Sequence, residues 1–182
     1  MVNILAFTGR SYAGKTRCSS LVVEIDPRFV RMSFSEPAKQ EYCEALRLSR
    51  EDFDYPNNYN KYKSTFLSYI EARKEEDAIS LFKELAQYDY VVLDDLKFIE
   101  ELKLVVENKG VIYKVAANPE VRRERGWKPN EDIDSHISET ELDISAYSIN
   151  CLGGGGVIYN NEYDSDVKLR GEVYQILSRH FA

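Results

Sequence analysis

The sequence is short of the groups that build metal clusters and disulfide frameworks. Its 182 residues include three cysteines, Cys18, Cys43 and Cys151, far apart and with no CxxC pair, and two histidines, His136 and His180. A zinc cluster needs about four such ligands at close spacing and a disulfide scaffold needs paired cysteines, so neither is expected and a reducing, cytoplasmic setting fits. Long apolar runs are also missing. No stretch approaches the ~20 residues of a membrane span, and the apolar run in MVNILAFTGRSYAGK is too short and too glycine-flanked for a secretory signal. Nor is positive charge in excess. The 24 Lys and Arg against 31 Asp and Glu leave a net charge of −7, which argues against coating nucleic acid or an anionic membrane. Any anionic ligand must therefore meet a locally basic site.

What is present is ordinary globular material, 43% hydrophobic and 30% charged, enough for a single domain over residues 1–182. Short apolar runs alternate with longer amphipathic ones. Ile4 to Thr8, Phe29 to Phe34, Tyr90 to Leu93, Val111 to Ala116 and Tyr147 to Asn150 read as strands. Lys15 to Glu24, Pro37 to Leu48, Lys63 to Ala86 (as two helices, the second from Asp77), Ile99 to Asn108, Pro119 to Arg125 and Asp166 to His180 read as helices. Such alternation implies an α/β fold with a parallel sheet covered on both faces. Tyr55 to Asn60, containing PNNYN, and Lys128 to His136 read as loops. Gly153 to Gly156, with Val157 to Tyr159 and Asn160-Asn161 behind it, reads as a flexible hairpin tip.

The most specific signal is Gly9-Arg10-Ser11-Tyr12-Ala13-Gly14-Lys15-Thr16. It fits GxxxxGK[ST] and stands after a strand and before a helix, where a phosphate-cradling loop must stand. The glycines let the backbone curl so that N–H groups point at phosphate oxygens, and the helix adds its positive end. Lys15 reaches the β- and γ-phosphates, and Thr16 offers a hydroxyl to Mg²⁺. Lys15 is expected to lie exposed in the empty loop. The strand YVVLDD delivers Asp94 towards the same metal, although Asp94 and Asp95 can equally cap the next helix. Neither a Gly two residues after Asp95 nor an NKxD motif is present, which disfavours a GTPase.

Basic residues cluster after the strands. Arg122 and Arg125, three apart on a helical turn in RRERGWK, can face one ligand as part of a lid over about residues 119–137. The same run can also be a solvated helix face. Lys39, Lys61, Lys63, Arg73, Lys74 and Lys97 lie on segments beside the expected cleft, and each alone reads as a surface charge. Ser138 to Glu141 is either a capping box or a substrate-facing segment.

The succession FTGRSYAGKT, FSEPAK, YK…EARKEEDA, VVLDDLKFIEEL, NPEVRRERGW and DSHISETELD resembles the bacteriophage deoxynucleoside monophosphate kinases and the structurally similar animal-type phosphomevalonate kinases. The resemblance covers about residues 3–150. It implies a three-layer P-loop fold with five parallel strands in the order 2-3-1-4-5, a mobile lid, ATP with Mg²⁺ as donor and a phosphate monoester as acceptor. It matches Lys15 and Thr16 to ATP and metal positions, Arg122 and Arg125 to lid arginines, Lys39 to a basic residue facing the acceptor, and Asp95 and Lys97 to an acidic and a basic position after the third strand. With the reading of the residues themselves, Lys15, Arg122 and Arg125 are the expected catalytic residues, Thr16 and Asp94 the expected metal ligands, and Lys39, Lys63, Arg73, Asp95, Lys97, Trp127, Ser138 and Glu139 the expected acceptor residues. The chain departs from the pattern where Lys97 stands for an Arg, where Phe66 and Leu67 replace an Arg for which Arg73 is the nearest substitute, and in the Gly153 to Asn161 insertion. The expected partners are small-molecule nucleotides, with no nucleic acid or membrane and a homodimer left open. The expected location is the cytoplasm, that of a host if the source is viral. A phosphomevalonate kinase and a nucleotide-binding regulatory module are the alternatives.

Overall fold

The computed structural model describes residues 2–54, 56–143, 154–161 and 166–182, without the side chains of 54–60. Five strands, β1 (Asn3–Thr8), β2 (Val30–Met32), β3 (Tyr90–Leu96), β4 (Val111–Ala116) and β5 (Gly156–Tyr159), form one sheet in the order β2-β3-β1-β4-β5. Every neighbouring pair is parallel, with Ile4 opposite Val91, Leu5 opposite Val111, and Lys114 opposite Val157. Parallel strands require crossovers, and the helices that make them cover both faces.

The alternation along β1 divides the core. Leu5 and Phe7 face one side, where they pack with Cys18, Leu21 and Val22 of α1 (Lys15–Ile25) and Val173, Ile176 and Leu177 of the last helix, α9 (Asp166–His180). Ile4 and Ala6 face the other, against Ala78, Leu81 and Leu85 of α4 (Pro56–Leu85) and Leu102 and Val105 of α5 (Ile99–Glu107). A third apolar cluster lies outside the sheet. It joins Ala38 and Cys43 of α2 (Glu36–Leu46), Phe53 of α3 (Arg50–Asp54), Phe66, Leu67 and Ile70 of α4, and Ile133 of α7 (Glu131–Asp134). The remaining helices, α6 (Pro119–Glu124) and α8 (Ile137–Thr140), are short. Among the described residues no helix is long and apolar enough to cross a membrane.

Three expectations need correction. PNNYN is helical, and α4 runs unbroken where two helices and a loop were expected. Pro56 opens it in the first turn, where a missing N–H costs nothing, and no Gly or Pro follows before Leu85. Asp77 starts no helix: its carboxylate takes Arg73 one turn earlier instead. Gly156 to Tyr159 are no hairpin tip but the parallel edge strand. Here glycine serves close approach, since a Cβ on Gly155 would lie 1.5 Å from the Ile112 carbonyl oxygen. The segment Lys128 to His136 contains a turn of helix, α7, rather than only loop. The strand expected at Tyr147 to Asn150 and the cysteine at position 151 lie outside the described residues.

Candidate functional site

The loop from Gly9 to Gly14 sits at the C-terminal end of β1, the central strand, where open α/β sheets place their ligands. Its backbone alternates in sign, with positive φ at Gly9 (132°), Tyr12 (64°) and Gly14 (107°). A left-handed tyrosine is uncommon, and such strain gathers where a loop must keep a special shape. Gly14 is the N-cap of α1. Among the described residues no side chain caps this helix and no acidic residue stands in its first turn, so its first N–H groups and its positive end are left to the cleft.

Lys15 does not extend into solvent as expected. It is half-buried, and its Nζ donates to the carbonyl oxygens of Gly9 (2.7 Å) and Arg10 (3.1 Å). Burial lowers its pKa to about 8, partly offset by the charge of Glu139. Thr16 beside it is exposed. A cleft of about 450 Å³ opens in front of the loop, lined by Ser11, Tyr12, Gly14, Lys15, Thr16, Lys39, Asp94, Asp95, Lys97 and Arg125. The structure therefore brings Lys39, Lys97 and Arg125 together with Lys15, four cations in a chain of net charge −7.

Asp94 and Asp95 are neighbours with different environments. Asp94 is paired with Arg31 of β2 (Nε to Oδ2, 2.8 Å). Its pKa rises to about 6, through burial first and then the charge of Asp95. Asp95 accepts hydrogen bonds from the hydroxyls of Ser33 and Ser35 and from the N–H groups of Phe34 (2.8 Å) and Ser35 (3.0 Å). Burial opposes its ionisation, but Lys97 and these donors outweigh it and hold its pKa below the usual value. Asp95 therefore fastens the turn before α2, the helix that carries Lys39, and its oxygens already serve the protein.

The segment expected as a lid packs inward. Arg122, 4% exposed, donates from Nε to the Ser11 carbonyl (2.8 Å) and lies 4.0 Å over the Trp127 ring, whose Nε1 donates to Asp134. The expected solvated helix face does not apply to this arginine. Arg125 donates to the Ala13 carbonyl (3.1 Å) and to Oδ1 of Asn160 (3.1 Å). Glu139 accepts from the Ser11 N–H (2.8 Å) and the Ser11 hydroxyl, and Lys63, 3% exposed, donates to the same hydroxyl (3.1 Å).

Ser138 starts no capping box. His136 is the N-cap of α8, its Nδ1 accepting from the Ser138 N–H, while Glu141 accepts from the Ile99 N–H. Arg73 is not among the described residues lining the cleft, being tied to Glu41 (2.6 Å) and Asp77 (3.1 Å). The aromatic rings of α2 to α4 pack on one another: Tyr42, Phe53 and Phe66 meet ring against ring, with Tyr62 on Phe53 and Tyr69 on Tyr42.

Sequence reasoning missed Arg31, which neutralises Asp94, and Asn160, whose Nδ2 donates to the Ala13 carbonyl (2.9 Å). Neither belongs to a local motif. Asn160 stood out only as a turn residue.

Solved structures share this architecture. Shikimate kinase from Acinetobacter baumannii, in complex with shikimate, superposes with a TM-score of 0.60 at 12% identity, covering 100% of this chain and 97% of that one. The fold is that of the P-loop kinases. Shikimate kinase from Bacteroides thetaiotaomicron (TM-score 0.53, 13% identity, 97% of each chain) and a protein from Thermus thermophilus (0.53, 15%, 100% and 98%) are similar in the same way. No family model and no curated protein matches the sequence. Identities this low establish the fold and leave the chemistry to the residues.

Proposed function

We propose that the protein is an ATP-dependent kinase of small molecules and that its acceptor is a phosphate monoester, a nucleoside or deoxynucleoside monophosphate. The observation that carries the reading is the cleft in which Lys15, Lys39, Lys97 and Arg125 converge on the uncapped N-terminus of α1. Concentrated positive charge beside open backbone N–H groups suits two polyphosphate ends, which must be brought together against their own repulsion. The acceptor phosphate is its own nucleophile near neutral pH, so no His or Cys constellation is needed. The protein's work is positioning and charge neutralisation. Lys15 would leave the Gly9 and Arg10 carbonyls for the phosphates. Lys39 and Lys97, which line the same cleft, would hold the acceptor.

The hydroxyl of Thr16 and the carboxylate of Asp94 both line the cleft, and two hard oxygen donors suit Mg²⁺, which is held mostly by nucleotide phosphates and water. Bound there, the ion would neutralise charge on the transferred group. Arg31, now paired with Asp94, would share that carboxylate.

The deoxynucleotide preference draws on the resemblance of RRERGW and DSHISE. A second reading, a hydroxyl acceptor as in the shikimate kinases, is favoured by Asp94, whose pKa near 6 suits a general base. ADP release from ATP and Mg²⁺, screened against deoxynucleoside and nucleoside monophosphates, phosphomevalonate and shikimate, separates these. Stimulation by a nucleoside monophosphate is expected. Stimulation by phosphomevalonate or shikimate alone would replace the nucleotide reading, and acceptor-independent hydrolysis would favour a regulatory module.

A further inference from the structure

The least explained charges, Lys63, Arg122 and Glu139, are not among the described residues lining the cleft. Three buried or half-buried cations, Lys15, Lys63 and Arg122, surround one buried carboxylate, Glu139, which is 7% exposed. All meet at Ser11. Its N–H and hydroxyl go to Glu139, its hydroxyl also receives Lys63, and its carbonyl receives Arg122. Lys63 Nζ stands 3.8 Å from the Glu139 carboxylate. Arg122 Nη2 is buried and finds no hydrogen-bond partner among the described residues, so the guanidinium retains a donor for an incoming oxygen. α4, α6 and α8 thus each bond Ser11, and the one carboxylate among them, Glu139, also pairs with Lys63.

We propose that Glu139 is a positioning residue: by bonding Ser11 and pairing Lys63, it keeps Lys63 charged and holds it and the Arg122-bearing lid against the loop beside the transferred phosphoryl group. This rests on the kinase reading given above. One carboxylate among three cations leaves the cluster positive, as an anionic ligand requires. Burial drives the Lys63 pKa down, and Glu139 from α8 is the foremost charge opposing that. Asp134 of α7 opposes it too, while Lys97 after β3 and Arg122 of α6 lower it further, and the Tyr12 ring stands 6.0 Å away. Lys15 is likewise raised by Glu139 and Asp95 and lowered by Lys97 and Lys63. Glu139 itself is ionised against its burial because Lys63, the Ser11 bonds and Lys15 outweigh that cost.

Two measurements on the full chain test this. In protein labelled at lysine Cε, the Lys63 resonance, assigned by its loss in Lys63→Arg, is titrated in the wild type and in Glu139→Gln. Its midpoint should fall by about one pH unit or more in the variant, because an opposite charge at this range shifts a pKa by that order. With the best acceptor, kcat should fall ~10- to 100-fold while KM for ATP stays within about threefold, and the alkaline limb of the kcat profile should move to lower pH. An unchanged Lys63 midpoint overturns the assignment whatever the turnover does. A lowered midpoint with unchanged kcat overturns the positioning role. If the wild type transfers phosphate to no acceptor, the kinase reading fails, yet the Lys63 titration still decides the pairing. Should Glu139→Gln fail to fold, Ser11→Ala, which removes the shared hydroxyl but keeps the N–H bond to Glu139, should shift Lys63 in the same direction by less. No shift there overturns the proposal.

Discussion

The phosphate loop is gripped on two flanks. At Ser11 the grip is charged and buried, formed by Glu139, Lys63 and Arg122 from three different helices. At Ala13 it is more open, formed by Arg125 and the Asn160 amide meeting one carbonyl and each other. Despite this difference the handles are mostly carbonyls. Gly9 and Arg10 offer theirs to Lys15, Ser11 to Arg122, and Ala13 to Arg125 and Asn160. Seizing a loop by its carbonyl oxygens turns the opposite edges of the same peptides, their N–H groups, towards a ligand. Arg122 and Arg125, three residues apart at α6, let one segment hold both flanks.

Losing the loop's own lysine should cost most. Lys15→Ala should reduce kcat by about three orders of magnitude through lost transition-state stabilisation. Turnover near wild type in the folded variant would remove the loop from the mechanism. The flanks themselves separate in the next pair. Arg122→Lys should lower kcat ~10- to 100-fold, because an ammonium can neither lie flat on Trp127 nor keep two donors in a fixed fork. Arg125→Lys, on the open flank, should lower it several-fold less on the same reasoning about the fork. Equal losses in steady-state kinetics would erase the distinction.

Asn160→Ala probes the open flank alone. It removes two side-chain hydrogen bonds of the kind worth about 1 kcal/mol each, and denaturant unfolding should register a loss of about 1–2 kcal/mol. An unchanged stability would mean that Arg125 holds Ala13 unaided. The smallest signal is a fraction of a proton. Lys15 is lowered to about 8 chiefly by burial, and phosphates placed beside it favour its charged form, so ATP binding should take up protons near pH 8 and none near pH 6.5. Calorimetry in buffers of different ionisation enthalpy reads this directly, and uptake independent of pH would contradict it.

The loop, its strand and its helix were legible because their signals are carried by consecutive residues, and the parallel sheet followed from the alternation of short and long runs. Contacts between distant residues were not legible. Glu139 meets Ser11 across 128 positions and Asn160 meets Ala13 across 147, and no spacing rule joins them. Val157 to Tyr159 misled for another reason. A glycine run suggests freedom, whereas Gly155 is there because the chain passes too close to β4 for a side chain. Of the acceptor candidates, Lys39 and Lys97 reach the cleft, while Arg73 is drawn aside by Glu41 and Asp77, acidic partners that a search for basic residues overlooks.

Helix α4 is a rod of 30 residues, about 45 Å at the usual rise per residue. Its C-terminal end, Ala78 to Leu85, is built into the sheet, and its middle, Phe66 to Ile70, belongs to the aromatic cluster outside it. The two stretches therefore serve different apolar clusters. Substitutions at the exposed positions around Phe66 to Ile70 should leave the sheet standing, and a graft of the outer half would need to match only one helical register.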